Sequence, residues 1–199
     1  MVPPPGRLTV DLGAGEGRLG RDLLARGHTV VGLDTSPTLA RASAAHDIPL
    51  RMALADAAAA PLRASCADLV VAFMSLQDID DYEGAIGEAG RLLAPGGRLC
   101  LAIVHPINSA GKFEVGEGPA APFVIRNSYL DTFRYHDEAE RDGLTMVFHS
   151  AHRPLEAYSR ALEAAGLVIE AIREVTVDDP LDRWSRIPCF LHLLARRSG

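Results

Sequence analysis

The stretch Leu8-Thr9-Val10-Asp11-Leu12-Gly13-Ala14-Gly15-Glu16-Gly17-Arg18 decides the fold of this chain. An apolar strand runs into a glycine turn, and a helix follows with Leu19, Leu23 and Leu24 on one face until Gly27 stops it. The glycines allow a sharp turn and a close ligand approach, because no Cβ stands in the way. The free N–H groups at the start of the helix point toward whatever lies in the turn. A second apolar run, His28–Leu33, is closed by Asp34, placed where a ribose would offer two hydroxyls to a carboxylate. Strand, glycine turn, helix, strand and acid make a nucleotide-binding half-site.

Working outward, strands and helices keep alternating. Ser36-Pro37 opens a helix, with serine as its cap and proline in its first turn. Leu50–Leu54 and Asp68–Phe73 read as strands three and four, Asp81–Leu93 as a helix, and Arg98–Val104 as strand five. Pro154–Ala165 is a helix ended by Gly166, Leu167–Glu174 is strand six and Phe190–Ala195 strand seven. This alternation implies an α/β fold with a mostly parallel sheet covered by helices on both faces.

Two nucleotides compete for the glycine turn. Gly15-Glu16-Gly17-Arg18-Leu19-Gly20 fits GxGxxG and points to a dinucleotide such as NAD. Asp11 with Gly13, Gly15 and Gly17 gives DxGxGxG, which resembles motif I of the class I S-adenosylmethionine (SAM) methyltransferases. Ala53-Leu54-Ala55-Asp56-Ala57 ends strand three with an acid, and Leu93-Ala94-Pro95-Gly96-Gly97 resembles the turn before strand five in that family. Three motifs in order favour the methyltransferase resemblance. It implies a Rossmann-like three-layer sandwich with strand order 3-2-1-4-5-7-6 and strand seven antiparallel, one domain over residues 1–199, and SAM as cofactor.

The resemblance also distributes roles. Asp34, followed by Thr35, is expected to hold the ribose, and Asp56 with Ala57 to read the adenine. Gly13, Ala14, Gly15 and Gly17 form the turn. Arg18 is expected either to pair with the methionine carboxylate or to stand exposed on the first helical turn. Asp11 either shapes the turn by accepting N–H groups or approaches the SAM amino group. Met74 and Ser75 open the stretch after strand four that runs beside the methionine moiety. Many relatives carry a histidine pair about where Gln77-Asp78 stands here, so no role carries over to these two residues. Asp80 and Asp81 read as a helix cap.

Residues 105–153 break the alternation with glycines, prolines and scattered aromatics. The insertion leaves the C-terminal end of strand five, the edge where open α/β sheets bind ligands. It is expected to cap the acceptor site; an added hairpin packed on the sheet edge is the alternative. His105 ends strand five. His149 and His152 return from the insertion in a run, Phe148 to Arg153, resembling an FHxR-type segment of bacterial small-molecule methyltransferases. Histidine accepts a proton near neutral pH, so His105, His149 and His152 are the candidate bases, with a purely structural role as the alternative for each. Their spacing does not make a metal site, and none is expected.

The net charge of −6 disfavours nucleic acid and anionic membrane surfaces as partners. No NPPY-type tetrapeptide follows strand four, which disfavours the exocyclic-amino nucleic-acid methyltransferases. No leader opens the chain and no apolar run is long enough to span a bilayer, so the cytoplasm is the expected location. Oligomeric state is not legible. The reading is therefore methyl transfer to O or N of a small molecule. An NAD-dependent oxidoreductase and a non-catalytic SAM-binding protein are the alternatives. Val2-Pro3-Pro4-Pro5-Gly6 leaves no room for a helix before strand one; an N-terminus trimmed relative to the natural product, with a loosely covered cofactor cleft, is expected, and coverage of the site by the insertion from His105 to Arg153 alone is the alternative.

Overall fold

The first strand, β1 (Thr9–Leu12), is buried along its whole length. In this computed structural model residues 1–114, 120–141 and 144–199 are described. The helix α1 (Arg18–Ala25) and strand β2 (Val30–Asp34) follow, then α2 (Pro37–Ala44), β3 (Arg51–Leu54), β4 (Ala67–Phe73), α3 (Tyr82–Leu92) and β5 (Leu93–Val104). The expected serine cap holds α2, with Leu39 N–H donating to Ser36 Oγ at 3.3 Å. Asp81 caps α3 through Gly84 N–H at 2.9 Å. The β5 strand takes in the Pro95-Gly96-Gly97 turn as an irregularity: its pairing with β4 jumps from Ala67–Leu93 to Leu69–Arg98.

The insertion supplies α4 (Pro106–Ala110), the short pair β6 (Lys112–Phe113) and β7 (Phe123–Val124), and the longer hairpin β8 (Phe133–Arg141) with β9 (Leu144–His152). Residues 115–119 and 142–143 of the insertion lie outside the described residues. The chain then returns through α5 (Leu155–Ala164), β10 (Leu167–Val175) and β11 (Phe190–Arg197).

Seven strands form one sheet in the order β10-β11-β5-β4-β1-β2-β3. Pairings from β3 across to β5 are parallel, and β11 runs antiparallel to both β5 and β10. This is the order 3-2-1-4-5-7-6 implied by the sequence. Because successive strand residues face opposite sides, the sheet carries two cores. Val10, Leu12, Val70, Ala72, Leu99 and Leu101 pack in one with Ile86 and Leu92 of α3 and Leu162 of α5. Leu69, Val71 and Val30 pack in the other with Leu23 of α1 and Leu50. Three layers result, and the carboxyl ends of β1, β2, β3 and β4 meet at one edge.

Candidate functional site

At that edge lies a cavity of about 860 Å³. Its geometry starts at the turn between β1 and α1. Gly13 has φ +68, and a Cβ there would sit 2.5 Å from the Ser75 Cβ. Ser75 is buried and donates its hydroxyl to Leu12 O at 2.7 Å, so the loop after β4 braces the glycine turn from behind. Gly15 has φ +59, and no atom lies within 4 Å of where its Cβ would be. It leaves open space on the cavity side, as a group laid against the backbone requires.

Four backbone donors of the turn have acceptors within the protein. Gly13 and Ala14 N–H both donate to Leu33 O at 2.9 Å, and Gly17 N–H to Ala14 O at 2.9 Å. Gly15 N–H donates to Asp34 Oδ2 at 2.8 Å, while Asp34 Oδ1 accepts Ser36 N–H at 2.8 Å. The acid at the end of β2 therefore fixes the turn after β1, and its remaining lone pairs stay available on the cavity side. None of these four donors goes to Asp11, so Asp11 does not shape the turn in that way.

Asp11 is only 1 % exposed, and its Oδ2 has no hydrogen-bond partner. Burial, with a smaller contribution from the Asp34 charge, pushes its carboxyl up to about 7. A buried, unpartnered carboxylate oxygen on a cavity wall is an unmet demand for a cationic donor. Asp56 accepts Ala58 N–H at 2.9 Å and stands exposed on the wall beside buried Ala57. Arg18, exposed, Thr35, Met74 and Ser75 also line the cavity. Met74 holds φ +55, a left-handed conformation that is strained for a side chain of its size and is pinned by its N–H bond to Ala102 O at 2.7 Å. Of the residues expected to meet the cofactor, Gly17 alone does not line the cavity; it sits at the start of α1 with φ +82 and bends the chain into the helix.

The three histidines expected as bases lie outside the cavity wall, and the contacts of His105 and His152 are those of the structural alternative. His105 is 3 % exposed. Its Nδ1 accepts Ile107 N–H at 3.0 Å as the cap of α4, and its Nε2 lies 3.0 Å from Glu174 Oε1. Burial holds its pKa below the usual histidine value, with Glu174 opposing. His152 is fully buried between Ser109 Oγ at 2.7 Å and Tyr129 O at 2.9 Å, and stacks on Phe133. His149 is exposed on β9 opposite His136. None of the three lines the cavity.

Two residues without an assigned role do matter there. Asp78 lines the cavity and accepts the Ser150 hydroxyl at 2.5 Å. Burial raises its carboxyl above the ordinary range, against the Ser150 bond and the Arg153 charge. Arg153 is buried, donates to Leu76 O at 3.1 Å and Ile79 O at 2.9 Å, and stacks 4.2 Å over the Tyr82 ring. It ties the end of the insertion to the loop after β4. Ala151 N–H to Gln77 O at 2.8 Å adds to the same seam. The seam places Phe148 of β9 on the cavity wall. The signal for Asp78 in the sequence is an acid just past strand four, at the ligand-binding edge of the sheet.

Comparison with known proteins agrees with this geometry. Residues 10–101 match a family described as a methyltransferase domain. The chain is 38% identical over 103 residues to a demethylmenaquinone methyltransferase of Thermus thermophilus, covering 49% of this chain and 47% of that protein. It is 29% identical over 192 residues to a trans-aconitate 2-methyltransferase of Delftia acidovorans, covering 84% and 68%. A crystal structure of a SAM-dependent methyltransferase from Mesorhizobium loti superposes with a TM-score of 0.78 at 27% identity, over 98% of this chain and 94% of that one. The chain spans about half the length of several curated relatives it matches. Sheet order and matched residues together make this chain similar to SAM-dependent methyltransferases, with the match to the methyltransferase domain family confined to residues 10–101.

Proposed function

We propose that this protein binds SAM in the cavity between the glycine turn and the loop after β4, and transfers its methyl group to O or N of a small-molecule acceptor. The observation that carries this reading is the wall itself: residues from Asp11 to Ser75 that the motifs single out, Gly17 excepted, converge on one cavity. Asp34 takes the ribose hydroxyls on the lone pairs its backbone donors leave free. Ala57 and Asp56 flank the adenine, Arg18 faces the methionine carboxylate, and Asp11 Oδ2 faces the methionine ammonium. The open side of Gly15 and the orphaned Asp11 oxygen both fit such a group.

When bound, SAM supplies a methyl group already activated by its sulfonium. The task left to the chain is alignment and exclusion of water. The insertion, residues 105–153, acts as the cap on the acceptor side, with Phe148 as its contribution to the wall. His105 and His152 hold that cap in place through the bonds described above. Among the described residues no helix is long and apolar enough to cross a membrane, which agrees with a small-molecule acceptor met in solution.

The name of one relative, a ubiquinone/menaquinone biosynthesis C-methyltransferase of Acidiphilium cryptum, favours carbon as a second acceptor atom. Titration with SAM, S-adenosylhomocysteine and NADH separates the cofactor readings. A screen of small-molecule extracts with methyl-labelled SAM, followed by mass spectrometry of the product, identifies the atom. Binding of NADH in place of SAM overturns the proposal.

A further inference from the structure

The same cavity is lined, besides the residues of the glycine turn, by Phe73, Asp78, Ile79, Asp80, Asp81 and Phe148. Phe73 and Phe148 are 40% and 45% exposed, so two aromatic side chains with open surface line the same cavity as the Asp78 carboxylate. The charges nearby are largely committed to partners of their own. Arg18 is the one cationic side chain among the described lining residues. Arg134 is engaged by Asp80 at 2.5 Å, and both are exposed. Arg153 spends its guanidinium on two carbonyls and the Tyr82 ring. Asp81 caps α3. Asp78 has the Ser150 hydroxyl as its hydrogen-bond donor, which fixes one oxygen and leaves the carboxylate facing the cavity. Among the described lining residues acidic side chains outnumber the single arginine.

We infer that the acceptor is a cationic amine on a flat apolar body, with the ammonium held by Asp78 and the body between Phe73 and Phe148. The inference rests on the SAM reading above and narrows its substrate class. An anionic acceptor meets the Asp78 carboxylate, while Arg134 is engaged by Asp80, Arg153 by two carbonyls and Arg18 by the SAM carboxylate in the reading above. A cation meets complementary charge in a partly enclosed site, where Coulomb terms exceed their value in water. Aromatic walls add attraction for the same charge.

Asp78 also has a chemical use. The ammonium gives one proton to the Asp78 carboxylate, which frees the nitrogen lone pair. That lone pair forms the new C–N bond as the C–S bond breaks with its electrons going to sulfur. The positive charge passes from sulfur to the methylated nitrogen, and Asp78 returns its proton to solvent. Atoms and charge balance with no other reactant.

The test compares three isosteric probes by chemical-shift titration, on the protein alone and on the protein saturated with S-adenosylhomocysteine: phenethylamine, 2-phenylethanol and phenylacetate. Phenethylamine should bind about 10-fold or more tighter than phenylacetate, the alcohol falling between. In Asp78→Asn that preference should shrink to about two-fold or less. Equal or tighter binding of phenylacetate, no binding of phenethylamine, or a preference unchanged in Asp78→Asn overturns the inference. Failure of the wild-type protein to bind S-adenosylhomocysteine overturns the cofactor reading instead, and the probe order on the protein alone still decides this one.

Discussion

Asp34 Oδ2 accepts the Gly15 N–H at 2.8 Å, so the acid that ends the second strand fixes the glycine turn that follows the first. One side chain thus shapes the turn and, in the proposed reading, also takes the ribose hydroxyls. Asp34→Ala should lower SAM affinity by about 10- to 100-fold, from the loss of charge-assisted bonds worth roughly 1.5–3 kcal/mol. It should also lower stability by about 1 kcal/mol, because two backbone donors lose their acceptor. Calorimetric titration and thermal melting read the two effects separately. Unchanged SAM affinity in a folded variant excludes the ribose role.

Asp11 makes the free protein sensitive to pH. Its folded-state carboxyl titrates near 7, well above the unfolded value, so the folded state holds a proton that the unfolded state has released. Stability from this group is complete below about pH 4 and is lost as pH rises through 7. Asp11→Asn should therefore stabilise the ligand-free protein by about 1–3 kcal/mol at pH 8, and by little at pH 4. The same change should weaken SAM binding, since the ammonium loses its carboxylate. Thermal melts across pH check the first part; equal gains at both pH values contradict it.

The histidines should behave as structural groups. His105→Ala removes the α4 cap and the Glu174 contact, and should cost about 1–2 kcal/mol while leaving SAM affinity within about two-fold. Because burial holds His105 below its unfolded pKa, its contribution is present above about pH 6.5 and is lost as pH falls below it. Wild-type and His105→Ala melting curves should converge toward pH 5. A variant of normal stability whose methyl transfer falls by two orders of magnitude would return His105 to a catalytic role.

The sheet and the cofactor wall were legible for a plain reason. Glycine spacing, strand–acid pairs and the Pro95-Gly96-Gly97 turn all report backbone demands, and backbone demands are local. The acceptor side was not legible, because it depends on side-chain direction and long-range contact. His105 stands where expected, at the end of β5, yet its ring turns to Ile107 and to Glu174, 69 residues away. On β9 a shift of one residue changes the face, and Phe148 rather than His149 reaches the cavity. Asp78 gained its place through Ser150, 72 residues later, a contact no local pattern announces.

Arg153 joins the insertion to the loop after β4, so its loss should be felt at both. Arg153→Ala should lower stability by about 2–3 kcal/mol, the range for a buried charged donor with two carbonyl partners and an aromatic stack. Arg153→Lys, which cannot span Leu76 O and Ile79 O in one plane, should recover less than half of it. Denaturant unfolding measures both. Full recovery by lysine excludes the bidentate clamp.

Isothermal titration of the purified protein with SAM tests the central claim most directly. The account predicts saturable binding at one site per chain, weakened by about 10-fold or more in Asp34→Ala and accompanied by no binding of NADH. Absence of SAM binding by a folded protein, or binding of NADH at the same site, contradicts it.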